Sequence, residues 1–257
     1  MDVRILGCHG SQLPGYNPTS FLLDGVILLD AGTITSVLSI EEQINISYIL
    51  VTHAHLDHVR DIMFLADNVY YSKKENPAVK VIGTQGVIDA LRAHLFNNVI
   101  WPDFSVIPTQ ENHVLRFEVI KPGVKFQLNN LTVTAVMVNH TVETVGYVIE
   151  SESGSVIFIG DTGPTEEIWE VARKLKNLKA VFIEASLPDS MEEAANITGH
   201  LTPAGLDREL KKLGALTPDI YLFHMKPQYE KTIREEIGLI RNNAIHILSE
   251  GEEIRIE

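Results

Sequence analysis

The 257-residue sequence has one cysteine, few basic residues and no long apolar run. A single cysteine, Cys8, cannot form an internal disulfide, which favours a reducing compartment. No apolar stretch approaches the roughly 20 residues of a membrane span, and the N-terminus lacks the basic and apolar regions of a signal peptide. We therefore predict a soluble, cytoplasmic protein that does not act at a membrane.

The charge balance is acidic. Lysine and arginine total 21 residues against 34 aspartates and glutamates, so the formal net charge is −13. Tight binding of a long nucleic acid depends on phosphate contacts from a basic patch, and the sequence shows no such patch. We expect no long nucleic-acid partner, whereas a small anionic ligand is compatible if metal ions supply local positive charge.

Short runs of β-branched and aromatic residues alternate with segments of helical periodicity. The runs predict strands at residues 27–29, 48–51, 79–82, 132–138, 156–159, 180–183 and 219–223. The helical segments are residues 35–43, 57–66, 86–94, 165–175, 202–213 and 230–241, with Pro164 and Pro203 placed as first-turn prolines. This alternation predicts an α/β protein with a single domain over residues 1–257. Residues 97–123, which contain three prolines, are expected to leave the core.

Four residues that could bind a metal lie within six positions, directly after an apolar run: His53, His55, Asp57 and His58. His53 and His55 are two residues apart, so both project to the same side of an extended segment. Imidazole suits zinc and iron, and carboxylate adds harder metals such as manganese. A chance cluster of surface histidines is disfavoured, because the chain has only 10 histidines.

Three later strands also run into residues that could bind a metal, namely His140, Asp161 and His224. Ligands of open α/β sheets bind beyond the carboxyl ends of strands, so these side chains can converge. Seven ligands exceed the shell of one ion. We therefore predict two divalent ions that share a bridging carboxylate, an arrangement common in phosphoester hydrolysis.

These motifs resemble, residue by residue, the metal motifs of the metallo-β-lactamase superfamily: the segment 53–58, His140, the Gly-Asp-Thr-Gly segment 160–163, and His224. The resemblance implies an αββα sandwich of two related halves. It also implies that His53, His55 and His140 hold one ion, that Asp57, His58 and His224 hold the other, and that Asp161 bridges them. Zinc is the expected metal, with manganese or iron as alternatives.

The segments 7–11, 14–20, 55–58, 95–104 and 199–203 look like parts of class II cyclic-nucleotide phosphodiesterases, which are similar to the tRNA 3′-processing endonuclease. The resemblance implies hydrolysis of a small-molecule partner, cAMP or cGMP, to a nucleoside 5′-monophosphate. The expected catalytic residues are Asp57, which would orient the nucleophile, and His200, which would contact the phosphate and donate a proton. Arg60 departs from the family, which usually has Gly or Ser there; the departure bears on the expected local packing or substrate approach and not on metal binding.

Several residues have two interpretations. His200 could instead cap the following helix, and Glu184 is either a partner of His200 or of a ligand, or a structural carboxylate. In the N-terminal loop, His9, Asn17, Thr19 and Ser20 either contact the substrate or form a turn. Trp101 and Phe104 either stack on a purine or belong to a core or interface. Cys8 lacks an evident nearby base, so thiol catalysis is rejected.

The alternative functions are another hydrolase on this scaffold or a non-catalytic nucleotide-binding sensor. The other hydrolases are an RNA 3′-processing endonuclease and a thioester or lactam hydrolase. The acidic charge argues against a tRNA substrate, and the complete ligand set argues against a decayed sensor. The sequence leaves open the native metal, the preference between cAMP and cGMP, and whether the chain forms a homodimer.

Overall fold

The computed structural model describes residues 1–72, 77–241 and 244–257. In these residues the strands are β1 (Asp2–Gly7), β2 (Ser20–Leu23), β3 (Ile27–Leu29), β4 (Tyr48–Leu50), β5 (Val79–Gly83), β6 (Leu115–Val119), β7 (Lys125–Leu128), β8 (Leu131–Met137), β9 (Val145–Glu150), β10 (Ser155–Phe158), β11 (Leu178–Glu184), β12 (Asp219–Phe223), β13 (Ile245–Ile247) and β14 (Glu253–Arg255). The α-helices are α1 (Ile40–Asn45), α2 (Leu56–Val59), α3 (Asp61–Ser72), α4 (Gln85–His94), α5 (Glu167–Ala172), α6 (Glu192–Thr198), α7 (Pro203–Leu210) and α8 (Glu230–Ile237).

The strands form two seven-stranded sheets, ordered β14-β1-β2-β3-β4-β5-β6 and β13-β12-β11-β10-β9-β8-β7. One apolar core, which includes Phe21, Phe158 and Phe223, lies between the two sheets. A second core joins the first sheet to α3 and α4, and a third joins the second sheet to α5, α7 and α8. The order of layers is therefore α, β, β, α, as the resemblance implied. Burial on both faces explains why the central strands are apolar throughout.

The parallel parts of the sheets bring the ends of distant strands together. Strands β3 to β6 are parallel, and so are β10 to β13. The sheets also touch near these ends, since the Tyr147 hydroxyl donates to the carbonyl of Val51 at 2.7 Å and the Val145 amide donates to that of Thr52 at 3.1 Å. Strand β8 runs in the same direction as β10, because β9 lies antiparallel between them. The segments that follow β4, β8, β10 and β12 consequently face one shared cleft.

The predicted strands correspond to β3, β4, β5, β8, β10, β11 and β12, and each predicted helix overlaps one of the helices found. The segment 57–66 is divided into α2 and α3. Pro203 is the first residue of α7, but the prediction for Pro164 was wrong, because α5 begins only at Glu167. Strands β1 and β9 were missed because Arg4 and Gly146 interrupt their apolar runs.

The expectation that residues 97–123 leave the core was wrong in part. Phe104 is 3% exposed and packs in the core beneath α3 and α4. Strand β6 lies within the segment and pairs with β5 in parallel. Prolines mark the irregular stretch, but the apolar residues between them hold it against the sheet. No α-helix in the described parts of the chain has the length and apolar character needed to cross a bilayer.

Candidate metal centre

The seven predicted ligands meet at the cleft formed by the strand ends. His53 and His55 follow β4, Asp57 and His58 lie on α2, and the remaining three follow β8, β10 and β12: His140, Asp161 and His224. Gly160 precedes Asp161 with a φ of +73°, and a Cβ there would lie 3.0 Å from the Thr52 side chain. A glycine at this position therefore lets the chain turn tightly against the His53 segment.

One group of ligand atoms comprises His53, His55, His140 and Asp161, all within 4.8 Å of one another. His140 Nε2 lies 3.2 Å from His55 Nδ1, and His53 Nε2 lies 3.8 Å from Asp161 Oδ2. Three imidazole nitrogens and one carboxylate oxygen form a set that zinc and similar divalent ions accept.

A second group comprises Asp57, His58 and His224, whose ligand atoms are also within 4.8 Å of one another. His58 Nε2 and His224 Nε2 are 3.2 Å apart, and Asp161 Oδ2 is 3.3 Å from each of them. Asp161 thus contacts residues of both groups, which is the position expected of a bridging carboxylate. Asp161 and His58 are essentially inaccessible to solvent, while the Asp57 side chain is 30% exposed at the cleft.

The hydrogen bonds on the far side of the rings show whether these residues fit a metal. His58 Nδ1 lies 2.8 Å from Asp30 Oδ2, and His140 Nδ1 lies 2.8 Å from the carbonyl of Gly199. These oxygens accept hydrogen bonds, so the Nδ1 atoms donate, and each ring presents a lone pair at Nε2 once Nε2 is deprotonated, as metal binding requires. The buried His53 Nε2 and Asp161 Oδ1 have no hydrogen-bond partner among the described residues. Facing lone pairs without a shared proton repel each other, and a bound cation removes that repulsion, so the residues fit a metal centre.

The charges also favour a cation. Burial raises the pKa of Asp161, but the adjacent His224 and His58 outweigh burial and hold that pKa well below its usual value. Burial lowers the pKa of His58, yet Asp161 and Asp30 reverse this and raise it well above its usual value. The carboxylates of the cleft thus require positive charge beside them, which divalent ions supply.

Asp30 is a site residue that the sequence analysis missed. It is fully buried, follows β3 with a φ of +56°, and its carboxylate accepts hydrogen bonds from His58 and from the Thr52 amide at 2.8 Å each. A buried carboxylate in this position fixes the orientation of a metal-binding imidazole. The pattern that identified the other site residues, an apolar strand that runs into a polar side chain, could also have identified Asp30, because β3 runs directly into it.

His200 and Glu184 form a buried pair at the edge of the cleft, with His200 Nδ1 2.7 Å from Glu184 Oε1. Burial lowers the pKa of His200, but the Glu184 carboxylate outweighs burial and raises it to about 9. The His200 ring lies 5.1 Å from that of His140, measured between centroids. The prediction of Glu184 as a partner of His200 is confirmed. The helix-capping interpretation of His200 was wrong, because Thr202 caps α7 through the Gly205 amide.

The N-terminal loop lies against the centre but presents few free polar groups to it. His9 Nδ1 lies 3.1 Å from Glu250 Oε1, and Asn17 Nδ2 donates to Glu250 Oε2 at 3.2 Å. Thr19 and Ser20 are fully buried, and the Ser20 hydroxyl donates to the carbonyl of Asp30. Neither is therefore accessible to a substrate here, which argues against the substrate-contact interpretation of both.

The remaining residues singled out from the sequence have structural contacts. Arg60 donates to the carbonyl of Gly32 at 2.8 Å and to Gln12, so it ties two loops beside α2 together. Phe104 is buried, which contradicts purine stacking by its ring, whereas Trp101 packs edge-to-face on Phe64 with 5.3 Å between the ring centroids. The expectation that Cys8 lacks a nearby base was wrong, because His9 Nδ1 lies 3.8 Å from its Sγ. Burial raises the pKa of the Cys8 thiol, and this still argues against thiol catalysis.

Comparison with known proteins identifies the family of the chain. Residues 26–225 match the family model described as the beta-lactamase superfamily domain. The chain belongs to the metallo-β-lactamase superfamily. The crystal structure of unliganded yeast PDE1 has the same fold as this superfamily member, with a TM-score of 0.84 at 19% identity over 98% of both chains.

Two curated relatives of this metallo-β-lactamase superfamily chain carry phosphodiesterase names. The probable 3′,5′-cyclic-nucleotide phosphodiesterase of Yersinia pestis is 25% identical over 73% of this chain and 59% of its own length. The 3′,5′-cyclic-nucleotide phosphodiesterase 1 of Saccharomyces cerevisiae is 27% identical over 65% of this chain and 50% of its own length. The similarity therefore spans about half to three fifths of these relatives.

Proposed function

We propose that this chain is a phosphodiesterase that hydrolyses 3′,5′-cyclic nucleotides, cAMP or cGMP, to nucleoside 5′-monophosphates. The observation that carries the proposal is the position of the buried His200–Glu184 pair. The His200 ring lies against the ring of His140, a predicted ligand, at the edge of the same cleft. A potential proton donor beside a two-ion site is an arrangement suited to the cleavage of an unactivated phosphodiester. The names of the relatives support the same substrate class.

Two divalent ions would be held by the seven residues that meet in the cleft. His53, His55 and His140 would bind one ion, Asp57, His58 and His224 would bind the other, and Asp161 would contact both. When bound, such ions withdraw charge from the phosphate oxygens and lower the pKa of a water molecule, which provides hydroxide near neutral pH.

Two side chains of this chain would orient the attacking oxygen and protonate the leaving oxygen. The Asp57 carboxylate is partly exposed at the cleft, and although burial raises its pKa, the hydrogen bond with His224 and the charge of His58 lower it overall. Asp57 is therefore ionised and can accept a hydrogen bond from the attacking oxygen. As that oxygen bonds to phosphorus, the bond from phosphorus to the ribose 3′ oxygen breaks. His200 donates its proton to this 3′ oxygen, which leaves as a hydroxyl group.

A substrate panel tests the proposal. Purified protein would be loaded with zinc or manganese and given 3′,5′- and 2′,3′-cyclic nucleotides, bis-(p-nitrophenyl) phosphate and a precursor tRNA. We expect turnover of the 3′,5′-cyclic nucleotides to 5′-monophosphates, loss of turnover with a chelator, and recovery when metal is added back. The matched control is His94→Ala, which changes an exposed histidine at the end of α4 and should keep wild-type rates.

Other outcomes would replace the proposal with a specific alternative. Cleavage of precursor tRNA without cyclic-nucleotide turnover would show an RNA-processing endonuclease. Binding of a cyclic nucleotide by fully metal-loaded protein without turnover of any substrate would show a sensor.

A further inference from the structure

The Glu184 carboxylate at the end of β11 is fully buried and uses both of its oxygens. Oε1 accepts from His200 Nδ1 at 2.7 Å and from the Thr162 amide at 2.9 Å. Oε2 accepts from the Ser186 hydroxyl and from the Leu201 amide at 3.3 Å. Oε1 thus accepts a hydrogen bond from His200 directly, and Oε2 accepts one from Ser186.

The Ser186 hydroxyl connects this carboxylate to His224. Ser186 is fully buried, and its Oγ lies 2.9 Å from His224 Nδ1 and 3.0 Å from the His224 carbonyl. A hydroxyl has one proton, and the bond to a carboxylate is stronger than the bond to a carbonyl, so the proton goes to Glu184. The Oγ lone pair then accepts from His224 Nδ1. This leaves His224 Nε2 without a proton and directed at Asp161, 3.3 Å away.

The other half of the molecule contains the same arrangement. Asp30 accepts directly from His58, and it also accepts from the Thr52 hydroxyl at 2.9 Å. The Thr52 Oγ1 lies 3.0 Å from His53 Nδ1 and has its proton engaged with Asp30. In both halves a buried carboxylate at a strand end therefore contacts one histidine directly and a second histidine through a hydroxyl group.

We propose that Ser186 is a positioning residue whose hydroxyl forms a hydrogen-bond relay between the Glu184 carboxylate and His224. One buried carboxylate thereby orients both His224 and His200. The part that concerns His200 as proton donor rests on the proposed function, but the effect on metal affinity does not. Loss of the hydroxyl should disturb His224 while the 2.7 Å contact between His200 and Glu184 remains. Replacement of Glu184 should disturb both histidines.

Zinc titration of metal-free protein against a chromophoric chelator tests the relay without any nucleotide. Ser186→Ala should weaken one of the zinc sites by about 10–100-fold, the usual cost of losing a partner of a metal-binding histidine. Ser186→Thr keeps the hydroxyl and should remain within a few-fold of wild type. The matched control is Ser155→Ala, which removes another buried serine hydroxyl at the start of β10, the end of that strand away from Asp161, and should leave zinc affinity unchanged.

Long-range proton–nitrogen NMR of zinc-loaded wild-type protein provides a readout that needs no variant. His224 should carry its proton at Nδ1. Ser186→Ala should alter the Nδ1 signal of His224 far more than that of His200, because His200 Nδ1 lies 3.4 Å from Ser186 Oγ but keeps its 2.7 Å contact with Glu184. A wild-type His224 without a proton at Nδ1 would overturn the relay, even if the alanine variant failed to fold. Wild-type zinc affinity in folded Ser186→Ala would overturn it as well. Since neither measurement contains a nucleotide, both can support the relay when cyclic-nucleotide turnover is absent.

Discussion

Replacement of His200 by alanine should separate two substrates whose leaving groups differ in their need for an acid. His200 is 9% exposed, and Glu184 lies 2.7 Å from its Nδ1, so its other nitrogen is the one that can face a leaving group. The ribose 3′ oxygen of a cyclic nucleotide leaves poorly as an alkoxide and requires a proton. The p-nitrophenolate released from bis-(p-nitrophenyl) phosphate is stable without one.

The expected magnitude follows from the protonation state of His200. With a pKa raised to about 9 before metal binds, the His200 side chain is protonated at pH 7 and can donate a proton. General acid catalysis typically contributes about 10²–10⁴-fold in rate, equivalent to about 3–5 kcal/mol of barrier. His200→Ala should therefore reduce kcat for the cyclic nucleotide by this factor and kcat for the aryl diester by less than about tenfold. Because divalent cations in the cleft repel a charged imidazole, the wild-type rate should fall as the pH rises through a pKa below 9.

The assay compares kcat for both substrates in wild type, His200→Ala and the exposed-histidine control His94→Ala, at saturating metal and with metal content measured. Equal losses on the two substrates would refute the role of proton donor and leave His200 as a binding residue. No loss on either substrate would remove His200 from the reaction. An unchanged alkaline limb of the pH profile in His200→Ala would assign that limb to another group.

Three further outcomes are expected. Wild type should bind about two metal ions per chain. Asp161→Ala should lower the occupancy of both metal sites, whereas His53→Ala should weaken mainly one of them. Elemental analysis measures the metal content, and full metal content in Asp161→Ala would contradict bridging. Asp30→Asn should reduce zinc affinity by about 10–100-fold, because His58 loses a charged acceptor; an unchanged chelator titration would be evidence against this. Glu209→Ala should lower the free energy of unfolding by about 1–3 kcal/mol, because the buried Trp169 Nε1 loses its acceptor at 2.7 Å. The metal content should stay at the wild-type level. Denaturant unfolding at equal metal loading measures the change in stability.

The sequence alone indicated the fold class and the residues of the centre. Each predicted ligand lies within three residues of the end of an apolar strand or at the start of the helix that follows one, as His53 and His224 show, so a local pattern was sufficient to find it. Strand ends in a parallel sheet share an edge, which made convergence of these residues predictable before any contact was known. The family resemblance then indicated the grouping around Asp161.

The tertiary structure alone decided which groups orient those ligands. Ser186 and Glu184 are two residues apart in sequence, but their contact with His224 depends on the parallel pairing of β11 with β12. Burial likewise decided that Thr19 and Ser20 point into the protein and that the Phe104 ring belongs to the core. A sequence pattern specifies the type of a side chain and its place on a strand. Its hydrogen-bond partner depends on the register and packing of distant segments, which no local pattern contains.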